Sequence, residues 1–466
     1  MELSPWLERA TAEIRDWASS HGPVAVHPSL DVDEPALREA LDVLVARLRK
    51  SYPFFHPRYA GQMLKPPHPV AVVGYVAAML INPNNHALDG GPATSALETE
   101  AVGRLAAMFG LDDHLGHLTS SGTIANLEAL FVARECHPGA AVALSTEAHY
   151  THARMCHLLG LPTRAVAADA HGRMDPAALA EVLATGDVGT VVATAGTTGR
   201  GAVDPVHEIL ALARGHGARV HVDAAYGGFF TLLAQDDPDH GPALVDPRPW
   251  RALAGCDSLV VDPHKHGLQP YGCGAVLFGD PAVARFYRHD SPYTYFSSSA
   301  PHLGEISLEC SRSGAAAAAL WLTQELLPLD RGGLGAVLAA GRRAATNWAR
   351  MIQQSPHLEL FQPPDLDIVT YFPRSPTPWT GTAALSAAST DVLDRGMKAE
   401  DPVYLSTLRV EAGAFAARHP AIPVDGSEVT VLRSVLMKPE AEPYLDHLHQ
   451  RVEHLVRQHH QNPVKP

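Results

Sequence analysis

The sequence is short of the features that mark several protein classes. Its 466 residues include five cysteines, Cys136, Cys156, Cys256, Cys273 and Cys310. The number is odd and no Cys-x-x-Cys pair occurs, so neither a disulfide framework nor a structural zinc is expected; this suits a reduced, cytoplasmic chain. No stretch reaches the ~18 apolar residues of a membrane span. The nearest, "PVAVVGYVAAMLINP", is shorter and ends in Pro and Asn. The opening "MELSPWLERATAEIRDWASS" reads as a charged amphipathic helix and lacks the basic start and apolar centre of a signal peptide. Basic clusters are missing too: 36 Lys and Arg stand against 50 Asp and Glu, a net charge of −14. Neither nucleic acid nor a membrane is an expected partner.

What the chain has is an ordinary globular composition, 46% hydrophobic and 18% charged, long enough to bury a sizeable core. Its 27 histidines are scattered, and no metal is expected. The richest stretch, "LDHLHQRVEHLVRQHHQ", reads as a C-terminal helix with Leu445, Leu448, Val452, Leu455 and Val456 as its apolar stripe.

Residues 1–60 look helical with Pro-rich breaks. Such an arm has little to bury its apolar faces against and is expected to pack on a partner subunit. Residues 61–330 are expected to form a large domain, in which from about residue 100 helices alternate with short apolar strands: "AAVALST", "RAVAAD", "GTVVATAG", "ARVHVDAA", "DSLVVD" and "GAVLFG". Asp175 and Pro176 mark one helix start, as N-cap and first-turn proline. This alternation predicts an α/β fold, a mostly parallel sheet covered on both faces. Residues 331–466, with "LELFQ", "IVTYFP" and "TVLRSVLM", predict a smaller α+β domain.

In parallel sheets ligands bind beyond the carboxyl ends of the strands, and the unusual polar residues fall there. "TSSGTIANLEAL" is a turn feeding a helix, either a plain N-cap or a phosphate cradle. Asp223 in "HVDAAYGG" is a carboxylate in an apolar strand and needs a partner, a salt bridge or a protonated ring nitrogen. His149 is a flat ring after a strand, fit to stack on a ligand or to start a helix. Thr197 either reaches a ligand or closes a turn. Lys265 in "DPHKHGLQPYGCG" stands between two histidines at a strand end. Burial there is expected to lower its pKa and make its amine nucleophilic, and His264 beside it could contact a phosphate. A phosphate cradle, a stacking His, an Asp and a Lys in that order suit pyridoxal 5'-phosphate, with Lys265 as the Schiff-base residue and Asp223 on the pyridinium nitrogen.

With these motifs the chain resembles the group II pyridoxal-phosphate-dependent amino-acid decarboxylases, over roughly residues 50 to 330 and on "SSGTIANLEAL", "HVDAAYGG" and "DPHKHG". The resemblance implies the aspartate-aminotransferase-type fold (fold type I) and a homodimer with active sites at the interface. It implies that Lys265 carries the cofactor and Asp223 pairs with its ring nitrogen. It places His149 and Ala225 on the two ring faces, Gly122, Thr123 and His264 at the phosphate, and Thr197 near the ring. "SPYTYFSSS" is similar to a catalytic loop, with Tyr295, or Tyr293, as the acid that protonates Cα. The substrate it implies is an L-amino acid, aromatic such as tyrosine or acidic such as glutamate or aspartate. His266 and Gly267 depart from the large apolar residue that often follows the lysine. Rival readings are an aminotransferase or carbon–carbon lyase on the same cofactor, with Arg433 as a carboxylate clamp, and a non-catalytic protein that binds a phosphorylated ligand.

Overall fold

A computed structural model of the chain describes residues 1–87, 89–287 and 303–462. Seven strands form the larger sheet: β1 (Leu115–Thr119), β2 (Ala141–Ser145), β3 (Thr163–Val166), β4 (Val188–Thr194), β5 (Arg219–Asp223), β6 (Ser258–Val261) and β7 (Gly274–Phe278), in the order β1-β7-β6-β5-β4-β2-β3. Six run in one direction; β7 is antiparallel to both its neighbours, β1 and β6. Every residue of β2, β4, β6 and β7 is buried, which is why these strands read as unbroken apolar runs instead of alternating ones. Helices cover both faces. Asp175 caps Pro176–Leu183 by accepting the Ala177 N–H, as its sequence position suggests.

Two strands were not legible in the sequence. β1, "LGHLT", carries Gly116 and a fully buried His117, whose Nε2 lies 2.9 Å from Glu128. β10 (Ser406–Glu411) is a half-exposed edge strand with charges. It belongs to a second, antiparallel sheet with β8 (Leu358–Gln362), β9 (Ile368–Pro373) and β11 (Glu428–Val435), in the order β10-β11-β9-β8.

The helix Leu334–Gln354 joins the two cores. Leu334, Leu338 and Ala339 pack into the core around the larger sheet, while Ala344, Ala345, Trp348 and Ile352 pack into that of the second. The C-terminal helix Ala441–Gln461 closes the second core with the stripe Leu445, Leu448, Val452, Leu455 and Val456.

The N-terminal segment differs. No residue of the helix Glu34–Leu48 is buried, and Leu37, Leu41, Leu44 and Leu48, spaced along one face, are each about half exposed. Among the described residues no helix is long and apolar enough to cross a membrane.

Trp348 is fully buried in the second core. Trp348→Ala should cost about 3–5 kcal/mol in urea unfolding, the usual penalty for emptying so large a site.

Candidate active site

The carboxyl ends of the parallel strands converge on a cavity of ≈ 180 Å³. Gly122, Thr123, His149, Asp223, Ala225, His264 and Lys265 all line it. These residues are up to 143 positions apart in sequence, and the sheet brings them together because each follows, or ends, a strand of the same direction.

Asp223 is the last residue of β5 and nearly buried. Its Oδ1 accepts the Ala225 N–H at 3.1 Å, and its Oδ2 lies 2.8 Å from His152 Nε2. Burial alone would raise its pKa. The His152 hydrogen bond and charge, the nearby Lys265 ammonium and the Ala225 N–H outweigh that and hold the carboxyl well below the usual carboxylate range. His152, fully buried, sits on the helix Thr151–Leu159. Sequence reading passed it over, although it lies three residues beyond His149.

Lys265 stands in the turn after β6. Its N–H bonds Asp262 O at 2.9 Å, and its Nζ lies 3.0 Å from Asp262 Oδ2. Here the structure corrects the expected lowering of its pKa. Burial does push the amine down, but the Asp262 and Asp223 carboxylates outweigh it, and the pKa lies above the ordinary lysine value. Asp262 was quoted in the motif without a role; its turn folds its carboxylate back onto the lysine. His264 is anchored through Nδ1, 2.8 Å from Cys273 O, and its Nε2 points toward Asp262 at 3.5 Å. Burial lowers its pKa, so the ring is neutral at pH 7.

The helix Gly122–Cys136 starts at the opposite wall, with Ser121 as N-cap accepting the Ile124 N–H. Its first N–H groups have no intrahelical acceptor and suit an anion. A Cβ on Gly122 would come within 2.6 Å of Asp262, so only glycine leaves this cradle open. His149 lies against the Tyr150 ring, with centroids 4.3 Å apart, and its Nδ1 accepts the Thr151 N–H. Burial lowers its pKa and keeps the ring neutral.

Thr197 does not line the cavity, whereas Thr194, Gly196 and Thr198 do. Its hydroxyl accepts the Ala202 N–H at 3.1 Å and closes a turn, the second of the two readings open to it. Arg433 is also turned away from ligand duty. Its guanidinium donates to Gly199 O, Thr198 O, Gly61 O and Ser406 Oγ. Tyr293 and Tyr295 lie outside the described residues.

The donor set fits pyridoxal 5'-phosphate. One cavity holds an amine for the aldehyde, an ionised carboxylate for the ring nitrogen and a glycine-opened helix start for the phosphate.

Two outcomes test this geometry. Gly122→Ala should weaken cofactor affinity about tenfold or more, read by absorbance titration, because the new methyl meets Asp262. Asp223 has its folded pKa depressed, so its contribution to stability is full above the unfolded carboxylate range and fades as pH falls through it. The stability gap between the parent and Asp223→Asn should therefore shrink below about pH 4, measured by urea unfolding across pH.

Residues 54–372 match the model of the pyridoxal-dependent decarboxylase conserved domain. The chain is similar to the L-tyrosine decarboxylase of Enterococcus faecium, 29% identical over 411 residues, with 68% of this chain and 67% of that one covered. It is also similar to a probable L-tyrosine/L-aspartate decarboxylase of Methanoregula boonei, 30% identical over 338 residues, covering 71% and 86%. The crystal structure of Oryza sativa TDC with PLP and tryptamine matches at a TM-score of 0.76 over 97% of both chains; at 19% identity this bears on the fold alone. With more than half its length inside the family model, the chain belongs to the pyridoxal-phosphate-dependent amino-acid decarboxylases.

Proposed function

We propose that this decarboxylase converts an aromatic L-amino acid, of the tyrosine type, to its amine and carbon dioxide. The observation that carries the reading is the single cavity joining Lys265, an ionised Asp223 and the open start of the helix Gly122–Cys136. Two exposed aromatic rings favour an aromatic side chain: Tyr150 against His149, and Tyr271 with its centroid 4.9 Å from His264. No arginine is found among the described residues lining the cavity to pair with a side-chain carboxylate. An acidic substrate is the second reading, supported by the Methanoregula boonei relative named for both tyrosine and aspartate.

When bound, pyridoxal 5'-phosphate supplies an electron sink for the pair left at Cα as carbon dioxide departs. Lys265 would hold the cofactor covalently through Nζ. Asp223, kept ionised by His152, accepts a hydrogen bond from a protonated ring nitrogen. His149 and the small Ala225 would take the two ring faces. The N–H groups of Gly122 and Thr123, with His264, would take the phosphate. With Asp262 Oδ2 3.0 Å from its Nζ and the Asp223 charge also near, the Lys265 amine is favoured as an ammonium.

An aminotransferase reading has less support. A clamp would grip the carboxylate that a decarboxylase must release, and Arg433 is engaged by main-chain and hydroxyl acceptors. Subunit organisation follows the same reading. Residues 1–60 form an arm on a partner subunit, 61–330 the cofactor-binding domain and 331–466 the small domain of a cytoplasmic homodimer. The uncovered face of the helix Glu34–Leu48 supports the arm.

The purified protein should be yellow, and borohydride should fix the cofactor on Lys265 in peptide mapping. Among tyrosine, tryptophan, aspartate, glutamate and 2,4-diaminobutyrate, tyrosine should release carbon dioxide and amine fastest, and Lys265→Ala should release none. Keto acid in place of amine would overturn the decarboxylation of that substrate; faster turnover of aspartate would move the substrate class.

A further inference from the structure

We propose that Asp367, a residue of the second sheet's side of the molecule, is the positioning residue that fixes the Lys265 turn. The inference rests on Lys265 as the cofactor-bearing lysine.

Asp367 immediately precedes β9 and is 1% exposed. Its backbone is fastened there: the Leu436 N–H donates to Asp367 O at 2.9 Å, and Arg342 donates to the carbonyl of Leu366. A carboxylate so buried requires partners, and it finds them across the molecule. Tyr226 Oη donates to Asp367 Oδ1 at 2.6 Å, and His266 Nε2 lies 3.2 Å from Oδ2. Tyr226 lines the cavity, next to Ala225. His266 is the residue after Lys265. One carboxylate thus accepts a hydrogen bond from the cavity wall and makes a close charge contact, not an aligned hydrogen bond, with the lysine turn.

The turn has need of such a brace. Leu268 is held at φ +63°, the left-handed region that side chains avoid. Gly267 has no room for a side chain, since a Cβ would lie 2.7 Å from Pro263 Cα. The His266 ring is packed edge-on to Tyr226 and Phe230, at centroid distances of 4.7 and 5.1 Å. It is buried, its Nδ1 has no hydrogen-bond partner among the described residues, and its Nε2 has the Asp367 carboxylate 3.2 Å away. The departure from an apolar residue after the lysine and the buried aspartate are therefore two halves of one device. Its role is to set where the Lys265 amine stands, without touching cofactor or substrate.

Asp367→Asn and His266→Phe test this, the second remaining available if the first folds poorly. Amide hydrogen exchange is read on cofactor-free protein, in peptides covering residues 262–274 and, as reference, β4. Expected is a rise of about tenfold at 262–274 with β4 unchanged. In the loaded enzyme kcat should fall about tenfold or more with KM held within about twofold, the mark of a misplaced reactive group. The double variant should lose less than the sum of the singles, because neither polar partner is then left stranded. Unchanged exchange at 262–274, equal loosening of β4, or unchanged kcat overturns the proposal. Borohydride labelling separates the two levels: label on Lys265 with unchanged exchange sinks only the Asp367 role, whereas no label on Lys265 in the parent sinks the assignment of the lysine.

Discussion

Asp223 ends a buried strand with 6% of its surface exposed, and a buried anion has to be answered by donors or positive charge. His152, the Ala225 N–H and the Lys265 ammonium give that answer from three separate elements. The helix Thr151–Leu159 presents His152, the β5 turn folds back through Ala225, and the lysine turn brings its cation in from β6. The chemistry of the site is an outgrowth of that electrostatic demand. A carboxylate kept ionised in a dry place is what a protonated heterocyclic nitrogen needs, and a lysine drawn to it is within reach of the same ligand.

A second buried carboxylate, Asp367, does the comparable work between the two sheets. Arg433 adds a third tie: its guanidinium sews β11 to the Thr198–Gly199 turn and to the Gly61 carbonyl. These are polar contacts in places where apolar packing would have served for stability alone. They fix orientation, since a hydrogen-bonded charge tolerates far less sliding than a methyl contact.

Much of this was legible in the sequence. β2, β4, β6 and β7 read as strands because burial on both faces removes alternation, and the motifs around Gly122, Asp223 and Lys265 stand out because polar residues follow apolar runs. β1 was hidden by His117, whose buried ring is paired with Glu128 from a different element. β10 was hidden by its exposure. The direction of the Lys265 shift was misread because burial was visible in the pattern while the inward turn of Asp262 was not. Thr197 had two readings, and only the turn around Ala202 distinguishes them. His266 and Asp367 are 101 positions apart, so neither announces the other.

The reversal of β7 also bears on how the chain assembles. Among the described residues β1 has β7 as its sole neighbour in the sheet, with Thr119 opposite Gly274 and Leu115 opposite Phe278. As the chain emerges from a ribosome, the strand that launches the Gly122–Cys136 helix has no sheet to join until the residues after Lys265 have been made. The cradle at Gly122 and the lysine turn are therefore completed in the same late event, a long-range closure of the slow kind. Until it occurs the five strands β2–β6 present an open edge at β6, a site for wrong pairing with other chains.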